Sequence, residues 1–355
     1  MYNKIKCIVY NRVNVMSELK NMIITLSQAN GTPGIENDIT DKIVSFLPDG
    51  MAAHKDKNNN LIASFDGNGK TYLLDAHADR IGLIVTAVTE GGFLRVARCG
   101  GMDARVLAAQ DVTVWGKAPV YGVITSTPPH LQSAADEGKA KDFDDILVDT
   151  GLSKEEAEKL ISAGDRITVK SPVCELLGDR ISCAALDDRA GCAVIIRAAE
   201  IIMQSPDAPS LRLLFSAQEE TGGTGAVTGS YGIDADECIS VDVSFADAPD
   251  MPSKKCGKLD NGPMIGFSPV LCYEISRKLE AVAKDKNIPY QLELMSDSTG
   301  TNADHIALSR GGIRTGLVSI PLRNMHTAVE VVSVADVESC AQLIAEYILG
   351  GGIDA

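Results

Sequence analysis

The sequence lacks several features that would point to other classes of protein. Its 355 residues contain nine cysteines, an odd number, and no CxxC pair, so we expect no disulfide framework and a reducing compartment. No apolar run is long enough to span a membrane, and the N-terminus has no signal-peptide core. We therefore expect a cytoplasmic protein with no membrane partner.

The sequence also has fewer basic than acidic residues. Lys and Arg number 33 against 48 Asp and Glu, which gives a formal net charge of −15 at pH 7. A field of this sign opposes binding to nucleic acid or to an anionic membrane, so neither is expected as a partner. The hydrophobic fraction of 45% and the charged fraction of 23% are typical of a globular protein, and the length indicates two domains or one with an insertion.

The pattern of predicted elements divides the chain into parts. An amphipathic helical pattern begins at Met16, so residues 1–15 are interpreted as an N-terminal extension. Helices and strands alternate over residues 16–82 and again over 175–355. Residues 83–174 instead hold short strand-like runs separated by Gly, Pro and polar turns. We predict an α/β domain interrupted by a small β-barrel or β-sandwich.

Capping residues predict where two of the helices begin. Ser153 and Glu156 have the spacing of a capping box, which places a helix directly after Ser153. Ser268 and Pro269 are suited to the N-cap and the first helical position, which predicts a helix from there to about residue 284.

Two acidic residues stand at the end of a strand-like run. Glu219 and Glu220 directly follow the apolar residues 211–215 and precede three closely spaced glycines. Adjacent carboxylates at the end of a buried strand are unfavourable unless they are paired. One carboxylate bound to a metal ion while its neighbour acts on a water is one interpretation. A solvated acidic turn is the other, and this stretch alone does not decide between them.

Other ionisable residues occupy the same position in the predicted fold. Those that follow a strand, interrupt a strand or begin a helix are His77, Asp79, Asp187, Asp188, Glu219, Glu220, Asp242 and His326. Since ligands of open α/β sheets bind beyond the carboxyl ends of the strands, we expect these side chains to converge. His54, His130 and His305 lie outside this pattern and are interpreted as ordinary polar residues.

The residue types suit a pair of divalent metal ions. Two His, one Glu and two Asp form the nitrogen and oxygen donor set that zinc or cobalt accepts. If one carboxylate bridges, each of two ions has three protein ligands and an open position for water, which the ions can activate near neutral pH. Glu219, next to a ligand but itself free, is suited to take the proton of that water and pass it to a leaving amine. Asp79, two residues after His77 on the same strand face, is suited to orient its imidazole.

Five segments carry a resemblance to a known family: DAHADRIG, ALDDRAG, SAQEETGGTGA, SVDVSFADAP and IPLRNMHTAVE. They resemble the signatures of the tetrahedral aminopeptidases, dinuclear metallopeptidases that include glutamyl aminopeptidases, and the similarity extends from Met16 to the C-terminus. It implies a mixed-sheet catalytic domain, a zinc-peptidase-like αβα sandwich, with an inserted β-barrel. It also implies self-association of dimers into a hollow homododecamer whose inner active sites receive short peptides, with the insert serving oligomerisation.

The resemblance further implies a role for each site residue. The five expected metal ligands are divided between two ions and a bridge: His77 and Asp242 for one ion, Glu220 and His326 for the other, and Asp187 between them. Glu219 would be the general base and then the general acid, and Asp79 would orient His77. The peptide bond between Asp187 and Asp188 is expected to be cis.

Two positions depart from the family pattern. Arg80 stands where an acidic residue is common, which changes the local charge and bears on substrate preference without removing a ligand. Asn302 stands where Asp is frequent, in a segment expected to border the substrate site. Residues 1–15 have no counterpart in the family.

Three hypotheses of function follow. The first is a metal-dependent aminopeptidase, broad or acidic-preferring, that removes the N-terminal residue of short peptides. The second is a related amide hydrolase, such as a deacylase, that uses the same metals. The third is a non-catalytic assembly protein on the same scaffold, which the intact set of five ligands and one base disfavours. A glycosidase would need two carboxylates flanking a sugar and no metal ion.

Overall fold

A computed structural model of the protein describes residues 2–132, 138–249 and 251–354. Its α-helices are α1 (Tyr2–Gln28), α2 (Asn37–Val44), α3 (Lys154–Leu160), α4 (Leu186–Met203), α5 (Thr224–Tyr231), α6 (Tyr273–Lys286), α7 (Ala303–Ile306) and α8 (Val334–Leu349). Its first nine strands are β1 (Ala52–Lys55), β2 (Leu61–Phe65), β3 (Thr71–His77), β4 (Gly82–Val88), β5 (Leu94–Cys99), β6 (Asp111–Trp115), β7 (Pro119–Ile124), β8 (Leu147–Asp149) and β9 (Arg166–Val169). The remaining strands are β10 (Cys174–Leu176), β11 (Arg180–Cys183), β12 (Ser210–Ser216), β13 (Glu237–Phe245), β14 (Met264–Phe267), β15 (Gln291–Leu294), β16 (Arg314–Leu322) and β17 (Glu330–Ser333).

The main sheet has eight strands in the order β1-β2-β12-β3-β13-β16-β14-β15. Its four central strands, β12, β3, β13 and β16, are parallel, whereas β2 and β14 join them in antiparallel fashion. The central strands are almost continuously buried, as expected for parallel strands that are covered on both faces. The sheet is therefore mixed, with a parallel centre.

Helices cover both faces of this sheet. Because successive side chains of a strand point to opposite faces, Leu74 packs into the core beneath α1, α4, α6 and α8, while Leu73 packs into a second core with α5 and α7. Helix α4 is deeply buried, since 14 of its 18 residues are buried and most of these are apolar or small. The predicted αβα layering with a mixed sheet is confirmed.

The insert is a closed barrel of six strands in the order β4-β5-β8-β7-β6-β9. Every pairing in it is antiparallel, and it encloses its own hydrophobic core, which includes Leu83, Val85, Val112, Val114 and Ile167. The barrel interpretation of this region is therefore correct, and the sandwich alternative is not. A third sheet has three strands in the order β10-β11-β17. Strands β10 and β11 follow the barrel strand β9 along the chain, and β17 directly precedes α8.

Of the two helix starts predicted from capping residues, one is confirmed and the other is wrong. The capping box at α3 is present, since the Ser153 backbone N–H donates to Glu156 Oε2 at 3.0 Å and the Glu156 N–H donates to Ser153 Oγ at 3.3 Å. The prediction that a helix begins at Pro269 is wrong. Ser268 instead closes a turn with the Leu271 N–H, and α6 begins only after Cys272, whose N–H donates to Thr315 on β16.

The first helix is longer than its amphipathic pattern. It begins at Tyr2 rather than at Met16, because residues 2–15 contain no Gly or Pro that would end a helix. The apolar spacing starts at Met16 because the helix first reaches the core there, through Leu19, Met22 and Ile23. The eight cysteines from Cys99 onward are all free. Among the described residues, no helix has the length and apolar character of a membrane span.

Candidate metal centre

The predicted site residues meet at the carboxyl edge of the parallel strands. His77 is the last residue of β3, and the register pairs it with Ser216, the last residue of β12. The chain continues from Ser216 to Glu219 and Glu220, and the Ala78 N–H donates to Ser216 O at 2.7 Å. Asp242 lies within the adjacent strand β13, so these three segments bring their polar residues to one edge.

The donor atoms form two groups that share one residue. His77, Asp187 and Asp242 form one group, and Asp187, Glu220 and His326 form the other, with the donor atoms of each group within 4.8 Å of one another. The two oxygens of Asp187 face different histidines: Oδ1 lies 3.0 Å from His77 Nε2, and Oδ2 lies 3.2 Å from His326 Nε2. This grouping has the same membership as the two expected ligand sets.

Asp187 is presented by an irregular start of α4. Asp187 and Asp188 have non-helical backbone angles, and the peptide bond between them is cis, as the resemblance predicts. The regular helix begins after Asp188, whose Oδ1 accepts the Gly191 N–H at 3.0 Å and so caps it. Asp188 thus caps the regular part of α4, and Asp187 is free to point into the site.

Glycine permits the turn that presents the two glutamates. Gly223 has φ +70°, and a Cβ on it would lie 2.2 Å from the His305 ring. A Cβ on Gly225 would lie 2.1 Å from the Ala217 carbonyl oxygen. Both positions therefore require glycine, which explains the Gly-rich segment after Glu220.

Asp79 fixes the backbone of the glutamate pair. Its Oδ1 accepts the Glu219 N–H at 2.9 Å, and its Oδ2 accepts the Glu220 N–H at 3.2 Å. His77 Nδ1 lies 3.2 Å from the Asp79 backbone oxygen and 3.5 Å from Oδ1. Asp79 therefore contacts His77 as expected, but its carboxylate also holds Glu219 and Glu220, a role that the sequence did not indicate.

Glu330 is a buried residue of the site that the sequence reasoning missed. Its Oε2 accepts the N–H groups of Leu186 and Asp187 at 2.7 and 3.2 Å, and its Oε1 accepts the His326 N–H at 3.0 Å. One carboxylate thus links the backbones of residues from both donor groups. The available signal was an acid directly before the apolar Val331 and Val332, the same anomaly that drew attention to Asp242.

The charge environment of the donors fits divalent cations. Burial raises the pKa of Glu220 to about 8 and raises the pKa of Asp242 well above its usual value. The contact with Asp187 is the main cause that raises the pKa of His326 to about 9. Glu220 Oε1 is buried and has no hydrogen-bond partner within the described residues. Carboxylates in such a place are stabilised by nearby positive charge, and a nitrogen and oxygen donor set suits zinc or cobalt.

Glu219 stands beside the donors without belonging to either group. It is half-buried in the turn that follows β12, and burial raises the pKa of its carboxyl. It lines, together with His77, Asp187 and Asp242, a cleft of about 660 Å³ that opens beside the donors. Residues 292–301 also line this cleft. The arrangement places an unassigned carboxylate where a bound molecule would meet the donor groups.

The remaining predicted residues lie outside the donor groups. His54 is exposed on β1, His130 lies in a short turn, and His305 packs against Gly223. Asn302 is buried and donates to Ser216 Oγ at 2.6 Å, while its neighbours 298–301 line the cleft. Arg80 is buried beside Glu220 and Glu330, in a second, smaller cavity on the barrel side of the donors.

Fold and site together define an α/β enzyme with a candidate metal centre at the carboxyl edge of its sheet. Comparison with known proteins gives the family, because residues 59–343 match the family described as M42 glutamyl aminopeptidase. The chain belongs to this family, whose members are aminopeptidases, that is, hydrolases that act on peptide bonds.

Individual relatives agree along almost the whole chain. A lysyl aminopeptidase of Pyrococcus furiosus is 35% identical over 322 residues, which are 89% of this chain and 92% of the relative. The solved structure of an aminopeptidase from Desulfurococcus kamchatkensis has a TM-score of 0.89 at 30% identity and covers 96% of each chain. The TET1 peptidase of Pyrococcus horikoshii, which can assemble into a tetrahedron or a large octahedral shell, has a TM-score of 0.82 at 28% identity, with 92% of this chain and 98% of that chain covered.

Proposed function

We propose that this protein is a dinuclear metallo-aminopeptidase that removes the N-terminal residue of short peptides. The observation that carries the proposal is the pair of donor groups that share Asp187, with the free carboxylate of Glu219 beside them. Membership of the aminopeptidase family is consistent with this chemistry. A deacylase using the same donors is the alternative function.

Five side chains would hold the two ions, zinc or cobalt by their donor types: His77 and Asp242 one ion, Glu220 and His326 the other, and Asp187 both. The division is supported by the grouping of the donor atoms within 4.8 Å. The bridging role is supported by the two oxygens of Asp187, which face different histidines. When bound, two such ions would lower the pKa of a water held between them and polarise the carbonyl of the scissile bond.

Glu219 would act as the general base and then as the general acid. Glu219 belongs to neither donor group. The hydrogen bond that its backbone N–H donates to Asp79 fixes its backbone at the edge of the cleft. From this position its carboxylate would accept the proton of the water and return it to the leaving amine. Asp79 would act through its contacts with Glu219, Glu220 and His77, as a positioning residue.

Hydrolysis of aminoacyl chromogenic substrates, before and after chelation, tests this proposal. We expect chelation to abolish release of the chromophore and zinc or cobalt to restore it. N-acetylated amino acids serve as the comparison, because a deacylase would cleave them and an aminopeptidase, which needs a free amino group, would not. Hydrolysis that persists when no metal remains bound would contradict the proposal.

The organisation of the chain is proposed along the same lines. Residues 16–82 and 175–355 would form the catalytic domain, 83–174 an oligomerisation domain, and 1–15 an N-terminal extension, in a cytoplasmic protein. A homododecamer built from dimers is supported by the tetrahedral assembly of the TET1 relative and by exposed apolar side chains such as Leu294 and Leu308. Native mass spectrometry of the full chain and of a chain without residues 1–15 would determine the number of subunits and the effect of the extension.

A further inference from the structure

Glu293 is an acidic residue of the cleft wall that the proposed chemistry does not use. It lies on the edge strand β15, where Leu292 and Leu294 on either side are exposed and Glu293 is turned inward. Its two carboxylate oxygens accept hydrogen bonds from the hydroxyl groups of Ser244 and Ser319, the latter at 2.7 Å. Two neutral donors thus hold the carboxylate in one position.

These contacts connect Glu293 to the metal centre. Ser244 lies two residues after Asp242 on β13 and therefore on the same face of the sheet. Ser319 on β16 is the residue that the parallel register pairs with Asp242. All three residues, Ser244, Glu293 and Ser319, line the cleft that also contains His77 and Glu219. The carboxylate is therefore part of the same cleft in which a substrate would contact the donor groups.

Glu293 has no cationic partner within the described residues. Its hydrogen bonds come from hydroxyl groups alone, and burial raises the pKa of its carboxyl. An ionised carboxylate offers about four acceptor positions, so two remain for a ligand. A cation in the cleft would donate a charge-assisted hydrogen bond to Glu293, which is stronger than one between neutral groups. It would also favour the ionised form of the Glu293 carboxyl.

We propose that Glu293 selects peptides whose N-terminal residue has a cationic side chain, by accepting a hydrogen bond from the lysine ammonium or the arginine guanidinium. This inference rests on the proposed aminopeptidase function and adds the class of substrate. Met264, Met295 and Leu317 line the same cleft and would cover the aliphatic part of such a side chain. The arrangement therefore suits a side chain that is apolar along its length and positive at its end.

The same geometry disfavours an acidic N-terminal residue. A glutamate side chain in this place would bring a second carboxylate to Glu293, and like charges at short range repel. Lys254 and Lys255 also line the cleft, but both are exposed, so solvent and salt screen their charge. The inference therefore favours a basic N-terminal residue over the broad or acidic preference considered from the sequence.

A pair of matched substrates gives the sharpest test. Lysine and norleucine have the same aliphatic chain and differ in the terminal ammonium, so the ratio of their kcat/KM values for aminoacyl p-nitroanilides isolates the effect of the charge. For the metal-loaded full-length protein we expect a ratio of about 10 to 100, the range of a charge-assisted hydrogen bond. Glutamyl p-nitroanilide should be cleaved more slowly than either.

Glu293→Gln keeps the size of the side chain and removes its charge. We expect the ratio to fall to near one through the loss of lysine hydrolysis, with norleucine changed less than about threefold. Ser319→Ala is a second variant with an intact carboxylate, and we expect a partial fall of the ratio. Asp297→Asn is the matched control for general cleft charge, because this exposed acid lines the same cleft without those serine contacts. It should change the ratio less than Glu293→Gln does.

Several results would overturn the inference. One is a lysine-to-norleucine ratio near one in the unaltered protein, and another is a ratio that Glu293→Gln leaves unchanged. A third is an equal loss of kcat/KM for both substrates in Glu293→Gln, which would mean that Glu293 holds the α-amino group. If Glu293→Gln does not fold, the ratio in the unaltered protein and in Ser319→Ala decides. Failure of the proposed function is a different result, namely no metal-dependent hydrolysis of any of the three substrates by the unaltered protein.

Discussion

The two donor groups are built differently although they share Asp187. His77 and Asp242 are both buried and belong to central strands of the sheet. Glu220 and His326 belong to turns that follow strands, the Glu220 side chain being buried and the His326 side chain partly exposed, and His326 has φ +61°. The side chain of His77 is 2% exposed and that of His326 is 32% exposed. The sheet thus fixes the first group directly, whereas the second depends on the hydrogen bonds that the Glu220 and His326 N–H groups donate to Asp79 and Glu330.

This difference indicates that the two proposed ions are held unequally. A ligand fixed by a buried strand loses little freedom when a metal binds, whereas a ligand on a turn must be held in place by other residues. We expect the ion bound by His77 and Asp242 to exchange more slowly and the ion bound by Glu220 and His326 to leave first on dilution or weak chelation. Five substitutions, one of them with a matched control, test this comparison.

Asp187→Asn is expected to have the largest effect because it changes the residue common to both groups. An amide has one acceptor oxygen and no negative charge, whereas a carboxylate has two oxygens and a negative charge. The amide therefore cannot offer a negatively charged ligand atom to each of the two ions. We expect the metal content to fall below one ion per chain and kcat/KM to fall about 10³-fold or more. Metal analysis after dialysis together with aminoacyl hydrolysis measures both. Retention of two ions would show that Asp187 is not the bridge.

Glu219→Gln should separate proton transfer from metal binding. Glu219 belongs to neither donor group, so we expect the metal content to stay at the level of the unaltered protein. Loss of the base should lower kcat about 10²- to 10⁴-fold. The control is metal analysis of the same sample that is used for kinetics. A variant as fast as the unaltered protein would refute the role of Glu219.

His77→Ala and His326→Ala compare the two groups directly. Each is expected to reduce the metal content to about one ion per chain. His77→Ala should also lower the free energy of unfolding by about 2–4 kcal/mol, because it leaves a cavity and an unpaired carboxylate in a buried site, whereas His326→Ala should cost less than about 1 kcal/mol. Chemical denaturation of both variants in the presence of chelator measures the difference. Equal destabilisation would contradict the unequal burial.

Glu330→Gln is expected to have the smallest effect, confined to positioning. The amide cannot accept hydrogen bonds at both ends, so either the Asp187 or the His326 backbone N–H loses its acceptor. We expect the affinity for the weaker ion to fall about 10- to 100-fold, the usual range for residues that orient ligands.

A matched control exists for Glu330→Gln. Asp336 is another buried acid that accepts two backbone N–H groups, those of Asp260 and Gly262, and it does not line the cleft. Asp336→Asn should lower stability and leave metal affinity unchanged, as isothermal titration with zinc would show. An equal fall of metal affinity in both variants would mean that Glu330 acts only through stability.

The sequence predicted the parts of this site that interrupt a strong pattern. Asp242 is an acid among valines, and His77 ends an apolar strand, so both are visible without any structure. Residues whose role depends on a hydrogen bond to a distant backbone were not predictable in this way. Glu330 and Ser319 act across strands, and Asp79 reaches the glutamate turn through the register between β3 and β12. Local propensity also gave the wrong helix start at Ser268 and Pro269. The Cys272 N–H donates a hydrogen bond to Thr315 on β16, so α6 begins later than predicted.

Metal content per chain tests the central claim most directly. The protein is loaded with zinc, separated from unbound zinc on a desalting column without prolonged dilution and analysed by atomic emission, together with His326→Ala treated in the same way. Two donor groups joined by Asp187 predict two zinc ions per unaltered chain and one in the variant. A single ion, or none, in the unaltered protein would contradict the account.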